Sequence, residues 1–242
     1  NDQTMASALA RINYVYGDRY LFTASVRNDG TSKFASGYKY GTFPSFSAGW
    51  RIINENFMKN LNIGVLSDAK FRAGWGTIGN QSILQDFGYL SLMTVSDSYK
   101  YNFGKTPVVV SGSTLTSVGT SDIKWETTAQ TNFGIDLGFF KNALTFNFDY
   151  YDKQTNDMLL TVTLPTYIGY TSNPVKNVGG VSNKGFEIVA GYKNKVGNFQ
   201  YSVSANFSQF KNKVTDLQGG IITGSDIKGV AINRTQEGGP IG

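Results

Sequence analysis

The sequence contains no cysteine and no histidine among its 242 residues. Their absence removes disulfides, thiol nucleophiles, imidazole bases and nearly all zinc chemistry. Proline is scarce, with 5, and charged residues make up only 16%. No run of eighteen apolar residues occurs, so no transmembrane helix is expected. Barrel strands escape that test because they hide their hydrophobicity in alternation, and a mean hydropathy of −0.23 is compatible with them. Net charge is +5 and the pI 9.2. The basic residues are scattered without a Lys/Arg run, so no nucleic-acid partner is expected. The first residues, NDQTMASALARINYVYG, lack a basic stretch leading into an apolar one. No signal peptide is therefore expected there, and a barrel with this start would be an internal fragment or a processed form.

What is abundant is glycine, 28, with 17 Phe and 14 Tyr, a β-rich and aromatic-rich balance. Thr127–Tyr151 sets the pattern. Ala129, Thr131, Phe133, Ile135, Leu137 and Phe139 alternate with Gln130, Asn132, Gly134, Asp136 and Gly138. After a turn at Lys141 and Asn142, Leu144, Phe146, Phe148 and Tyr150 alternate with Thr145, Asn147 and Asp149. A period of two predicts two antiparallel strands sharing one apolar face. Each run reaches roughly 10–13 residues, enough for the 9–11 that an oblique bilayer crossing requires.

The same alternation predicts strands over Ser7–Tyr16, Tyr20–Val26, Thr42–Ile52, Lys70–Gly76, Phe186–Tyr192 and Phe199–Phe207. Gly17-Asp18-Arg19 and Asn194–Asn198 are expected as tight turns. Asn28–Tyr40, Thr77–Lys124 and Asp152–Lys184 are expected as long polar loops, with an extra hairpin around Pro107–Val110. One short helix is expected within Ile53–Asp68, and the tail from Asn212 is expected as a further loop. Connections thus alternate short and long, apart from the intermediate Ile53–Asp68, as at the two rims of a membrane barrel. Tyr14, Tyr16, Tyr20, Phe139, Tyr192, Phe199 and Tyr201 gather beside the short turns, where an interfacial girdle belongs. A soluble β-sandwich would also present a charge-free face, but with shorter strands and bulkier charged residues opposite. The long alternating runs favour the membrane barrel.

Three motifs carry no chemistry in this context. Gly74-Trp75-Gly76-Thr77-Ile78-Gly79 fits a dinucleotide fingerprint, but no amphipathic helix or βαβ alternation follows. Asn206-Phe207-Ser208 and Asn233-Arg234-Thr235 match glycosylation triplets of a kind common by chance. Asp136, Asp149 and Glu187 could face one cavity as acid and base, yet polar lumen groups are the simpler reading, so no catalytic residue, cofactor or metal ligand is assigned. The division of charge is more telling. Arg11, Arg27, Arg51, Lys70 and Arg72 sit on polar faces of the first four strands, and Asp136, Asp149 and Glu187 on later ones. These eight are the candidate lumen-lining residues. They would give a lumen one basic and one acidic wall, able to hold a plug or bias a solute, unless they are only scattered solubilising charge.

Longer motifs resemble a family. Arg11-Ile12-Asn13-Tyr14, Asp18-Arg19-Tyr20-Leu21-Phe22-Thr23-Ala24-Ser25-Val26-Arg27 and Asp29-Gly30-Thr31-Ser32-Lys33-Phe34 are similar to the SusC/RagA family of TonB-linked outer-membrane proteins of Bacteroidota. So are Gly41-Thr42-Phe43-Pro44-Ser45, Ala48-Gly49-Trp50-Arg51, Leu66-Ser67-Asp68-Ala69-Lys70-Phe71-Arg72 and Gly79-Asn80-Gln81. Trp125-Glu126-Thr127-Thr128, Asp149-Tyr150-Tyr151-Asp152-Lys153, Asp157-Met158-Leu159-Leu160, Asn177-Val178-Gly179, Asn183-Lys184-Gly185-Phe186-Glu187 and Pro240-Ile241-Gly242 continue the resemblance in order along the chain.

The resemblance implies an all-β antiparallel transmembrane barrel wall, about eight of roughly 22 strands. It implies that residues 1–242 form a partial barrel domain, with plug, TonB box and signal peptide lying elsewhere. The implied activity is import of oligosaccharides, glycans or peptides across the bacterial outer membrane, not enzyme catalysis. The implied partners are a SusD-like lipoprotein, the TonB complex, outer-membrane lipid and the solute. Long loops would be extracellular and short turns periplasmic. Tyr89, Tyr99 and Tyr167 are the candidate loop contacts for substrate, by ring stacking. Independently, eight strands lined by small polar residues would leave a closed barrel underfilled, and an open one would expose two edges to lipid. The other classes are a small self-contained porin-like or adhesive barrel and a soluble β-sandwich binding carbohydrate.

Overall fold

The computed structural model describes residues 3–241 other than 62, 83–85, 106–107, 166, 168, 219–220, 224–225, 228–229 and 232. In chain order the strands are β1 (Met5–Tyr16), β2 (Tyr20–Thr31), β3 (Tyr40–Trp50), β4 (Leu66–Asn80), β5 (Leu92–Phe103) and β6 (Val108–Ser117). They continue with β7 (Glu126–Phe139), β8 (Leu144–Asn156), β9 (Leu159–Thr161), β10 (Val175–Asn177), β11 (Gly180–Val196) and β12 (Phe199–Asp216). Four short pieces follow, β13 (Ile221–Thr223), β14 (Asp226–Ile227), β15 (Val230–Ala231) and β16 (Arg234–Gln236). A 3-10 turn (Ile52–Asn54) and one short helix, α1 (Asn56–Asn60), lie between β3 and β4.

Eight strands form one antiparallel sheet in the order β1-β2-β3-β4-β7-β8-β11-β12. Every neighbour is joined by the next available connection, as successive hairpins require. Turn chemistry fixes the register. Gly17 and Asp18 take φ of +57° and +51°, and Arg19 N–H donates to the Tyr16 carbonyl, so Tyr16 meets Tyr20. Phe140, Lys141 and Asn142 are all left-handed, at +53°, +57° and +61°, and bring Phe139 opposite Leu144. Gly197, at +61°, permits the two-residue turn that sets Val196 against Phe199.

That register puts the alternating residues into rows. On one face Phe133, Tyr150 and Phe186 are successive neighbours, and beneath them Ile135, Phe148, Ile188 and Phe207. Phe133 is 54% and Phe207 57% exposed. A sandwich would cover this face with a second sheet; among the described residues none does, so the single-layer barrel wall is the observed architecture. The opposite face carries Ser, Thr, Asn and Gly with charged residues such as Arg11, Arg72, Asp136 and Asp149.

Strands are longer than the sequence alone suggests. β4 runs through Asn80, β8 through Asn156, and β11 begins at Gly180, so the loop expected over 77–124 loses residues at its start and the one over 152–184 at both ends. Inside those loops sit two hairpins, β5-β6 and β9-β10. The first lies where a hairpin is expected around residues 107–110, although Pro107 itself is outside the described residues. β12 likewise continues past Asn212 to Asp216. Conversely, β3 ends at Trp50, so Arg51 and Ile52 leave the strand.

The main cluster of buried hydrophobic side chains is small and joins the long connections to the N-terminal end of β3. Phe34, Phe43, Ile123 and Trp125 pack together, with Tyr89, Leu159 and Val175 against them. Trp125 lies 5.3 Å from the Phe34 ring and 5.6 Å, edge-on, from Phe43. Its indole N–H donates to the Lys39 carbonyl at 3.2 Å, the usual requirement of a buried indole.

Candidate functional site

The polar face is organised about Arg72. Pairing places Arg72 opposite Gly134, and Gly134 opposite Asp149 on β8. The guanidinium crosses the bare glycine to reach that carboxylate, Nη2 lying 3.0 Å from Asp149 Oδ2. A Cβ at position 134 would lie 2.6 Å from both Arg72 Nη2 and Asp149 Oδ1. The same guanidinium grips Asp136 with a two-toothed fork, Nε and Nη2 each donating at 2.8 Å. Asn147 Nδ2 donates to Asp136 Oδ1, also at 2.8 Å. Charge-assisted, bidentate bonds of this kind are the strong and orienting ones.

Seven of the eight sequence-derived charges share this face by register: Arg11, Arg27, Lys70, Arg72, Asp136, Asp149 and Glu187. Arg51 does not. It lies beyond the end of β3 and pairs with Asp18 at 2.9 Å, tying the first tight turn to the 3-10 segment. The expected basic and acidic walls meet at the β4/β7 seam and neutralise each other there. Arg27 is also held, by Asp29 at 2.7 Å on its own strand. Among the described residues, Arg11, Lys70 and Glu187 form no ion pair. No group of three or more Asp and Glu carboxylates is placed to hold a metal ion among the described residues.

Toward the long connections the polar face forms a groove of about 680 Å³, lined by Arg11, Arg27, Asp29, Gln130 and Asn132 with the aromatic edge of Trp125. Hydrogen-bonding side chains thus lie beside an aromatic wall there. Of the three loop tyrosines, Tyr89 packs against the buried cluster and stacks edge-on with Phe87 at 6.3 Å. Its ring is thereby packed against the loop core and partly buried. Tyr99 sits on β5 and is exposed, while Tyr167 is 88% exposed. The structure brings none of the three to the groove.

Sequence reasoning missed the loop core altogether. Its members lie singly in polar segments and carry no periodicity. Phe43 did leave a trace, being a large aromatic at a polar-face position of β3. A second omission is Glu55, in the connection that closes the short-turn rim. It accepts from Tyr20 Oη at 2.6 Å, Trp50 Nε1 at 3.0 Å and Arg19 Nη1 at 3.1 Å. The Tyr20 hydroxyl, followed by the Trp50 indole and Arg19, holds this carboxyl below its ordinary value of 4.5.

Comparison with known proteins decides what kind of wall this is. A family model described as TonB dependent receptor-like, beta-barrel, matches residues 1–237. The chain belongs to the TonB-dependent receptor β-barrel family. Within this outer-membrane barrel family it is 38% identical over 219 residues to TonB-dependent receptor SusC of Bacteroides thetaiotaomicron, covering 90% of the chain and 21% of that protein. TonB-dependent receptor P39 of Formosa agariphila is 39% identical, with 88% and 20% covered. The chain thus spans about a fifth of the length of these relatives. The RagAB peptide transporter superposes with a TM-score of 0.81 at 27% identity, over 98% of the chain and 25% of that structure's chain. The resemblance to SusC/RagA proteins seen in the motifs therefore holds along the chain.

Proposed function

We propose that the chain forms part of the barrel wall of a SusC-like, TonB-driven outer-membrane importer. It works with a SusD-like surface lipoprotein and carries oligosaccharides, glycans or peptides inward. The observation that carries this reading is the single-layer wall itself, apolar on one face and polar on the other, in a chain of this family. In this reading the apolar face meets lipid, and Arg11, Arg27, Lys70, Arg72, Asp136, Asp149 and Glu187 face the lumen. The short turns are periplasmic, and the long connections with their Trp125 core are extracellular. Two open sheet edges in lipid need further strands to close the wall, and in this reading those strands, the plug and the TonB-binding segment belong to other parts of the protein.

Function here is passage rather than bond chemistry. The Arg72 bridge pairs Arg72, Asp136 and Asp149 with one another within the wall. Solute moving past then meets hydroxyl and amide groups, which bind weakly enough to release, together with the separate charges of Arg11, Lys70 and Glu187. The test is uptake by cells carrying the full-length protein. Deleting the lipoprotein partner should abolish high-affinity uptake, and unchanged uptake would refute the joint mechanism. Mass spectrometry of ligand co-purified with the complex separates glycan from peptide cargo.

A further inference from the structure

At the long-loop end, the apolar face does not fade into neutral loops. It ends in lysines. Register pairs Lys184 of β11 directly with Lys211 of β12, on the same face as Phe186 and Phe207. Lys213 stands two positions further along that face. Like charges directly opposite on antiparallel strands repel. One counter-charge is present: Asp152 of β8, paired with Lys184 in register, bonds its Nζ at 2.8 Å. Among the described residues of β8, β11 and β12, three positive charges therefore meet one negative charge. Among the described residues Lys211 and Lys213 form no ion pair, and both are exposed.

The level of this cluster locates it. At the short-turn end the first polar residue of the apolar face of β11 is Asn194, and at the other end it is Lys184. About ten residues separate them. That is about 34 Å of strand, and about 26 Å of height at a tilt of about 40°, close to the apolar band of an outer-membrane barrel. The lysines thus stand at headgroup level, facing sideways into the bilayer. Below them Phe186, paired with Gln209, and then Phe207 follow on the same face, and the two rings, 5.9 Å apart, offer a surface for acyl chains.

We propose that Lys184, Lys211 and Lys213 form a binding site for the phosphate groups of a lipid in the outer leaflet. Lysine serves phosphate as a point charge, and its long stem lets the ammonium reach the headgroup while the methylenes lie along the aromatic rows. The site opens toward lipid rather than into the polar groove, which favours a lipid headgroup over a dissolved anion. This inference rests on the wall reading given above.

The test uses the full-length protein purified in detergent and titrated with phosphorylated lipid A, bound lipid being counted by native mass spectrometry. The double variant K211Q/K213Q should bind it about thirtyfold more weakly, while dephosphorylated lipid A should bind both proteins alike and weakly. K211R/K213R should retain binding, which guards against a folding defect. Lys193→Gln, on the polar face, should change nothing. Undiminished binding by K211Q/K213Q, or equal binding of the dephosphorylated lipid, overturns the proposal. Displacement of lipid by millimolar inorganic phosphate also overturns it, making the site one for a free anion. A full-length protein soluble without detergent would instead remove the wall reading, before any lipid is added.

Discussion

Gly134 offers the sharpest test of how the polar face is built. An alanine there puts a methyl carbon 2.6 Å from Arg72 Nη2 and from Asp149 Oδ1, and 2.7 Å from Arg72 Cζ. The guanidinium must lift from Asp149, while its fork on Asp136 can persist. The lost contact joins side chains 36% and 38% exposed, so solvent screening limits it to about 1 kcal/mol. Crowding adds about 1–2 kcal/mol. Asp149 is also left beside Glu187, its cross-strand neighbour, with its positive partner displaced. Gly134→Ala should therefore destabilise by about 2–3 kcal/mol. In an Arg72→Gln background the guanidinium is gone, and the Asp149 carboxylate, no longer held across position 134, can turn aside from the methyl. Alanine is also the better strand residue by about 0.5–1 kcal/mol, so the same substitution should become neutral or slightly stabilising. Denaturant unfolding of the full-length protein in detergent micelles, run as a double-mutant cycle, reads the difference. Equal cost of Gly134→Ala in both backgrounds would sink the bridging account.

Two further predictions concern the rims. Trp125→Ala removes the ring on which Phe34 and Phe43 pack, and should cost the loop core about 3–5 kcal/mol of local stability. Hydrogen exchange over residues 34–43 and 120–125 should then accelerate while β7 and β8 stay protected; unchanged exchange would show that the cluster does not hold the loops. At the opposite rim, Glu55 has a folded pKa below its ordinary 4.5. A depressed carboxyl contributes stability above the unfolded value and loses it as pH falls through the folded one. Segment 52–61 should therefore be protected at neutral pH and loosen progressively below about pH 4.5. Glu55→Gln should remove that pH dependence. Protection of wild type that persists to pH 3, after correction for intrinsic exchange rate, would contradict it.

Much of the wall was legible because a period of two is a local property. Phe133 to Phe139 and Leu144 to Tyr150 announce their face without reference to any distant residue. Where the alternation weakens, strand ends were missed. β8 continues through Asp152, Lys153 and Gln154, polar on both faces, and its extension is dictated by pairing with β7 and β11. Arg51 illustrates the converse, since its place in the alternation suggested a strand position that the 3-10 turn and Asp18 withdraw.

The sequence by itself determined the strands, their two faces, the hairpin order and the family, because each rests on neighbouring residues or on motifs in series. The tertiary structure alone decided that Arg72 crosses Gly134 to Asp149, that Phe34, Phe43 and Trp125 share one core, and that Lys184 stands opposite Lys211. Those juxtapositions depend on inter-strand register. Turn geometry and the irregularities near Leu66 and Gly180 set it, and a shift by one residue would send every side chain to the other face.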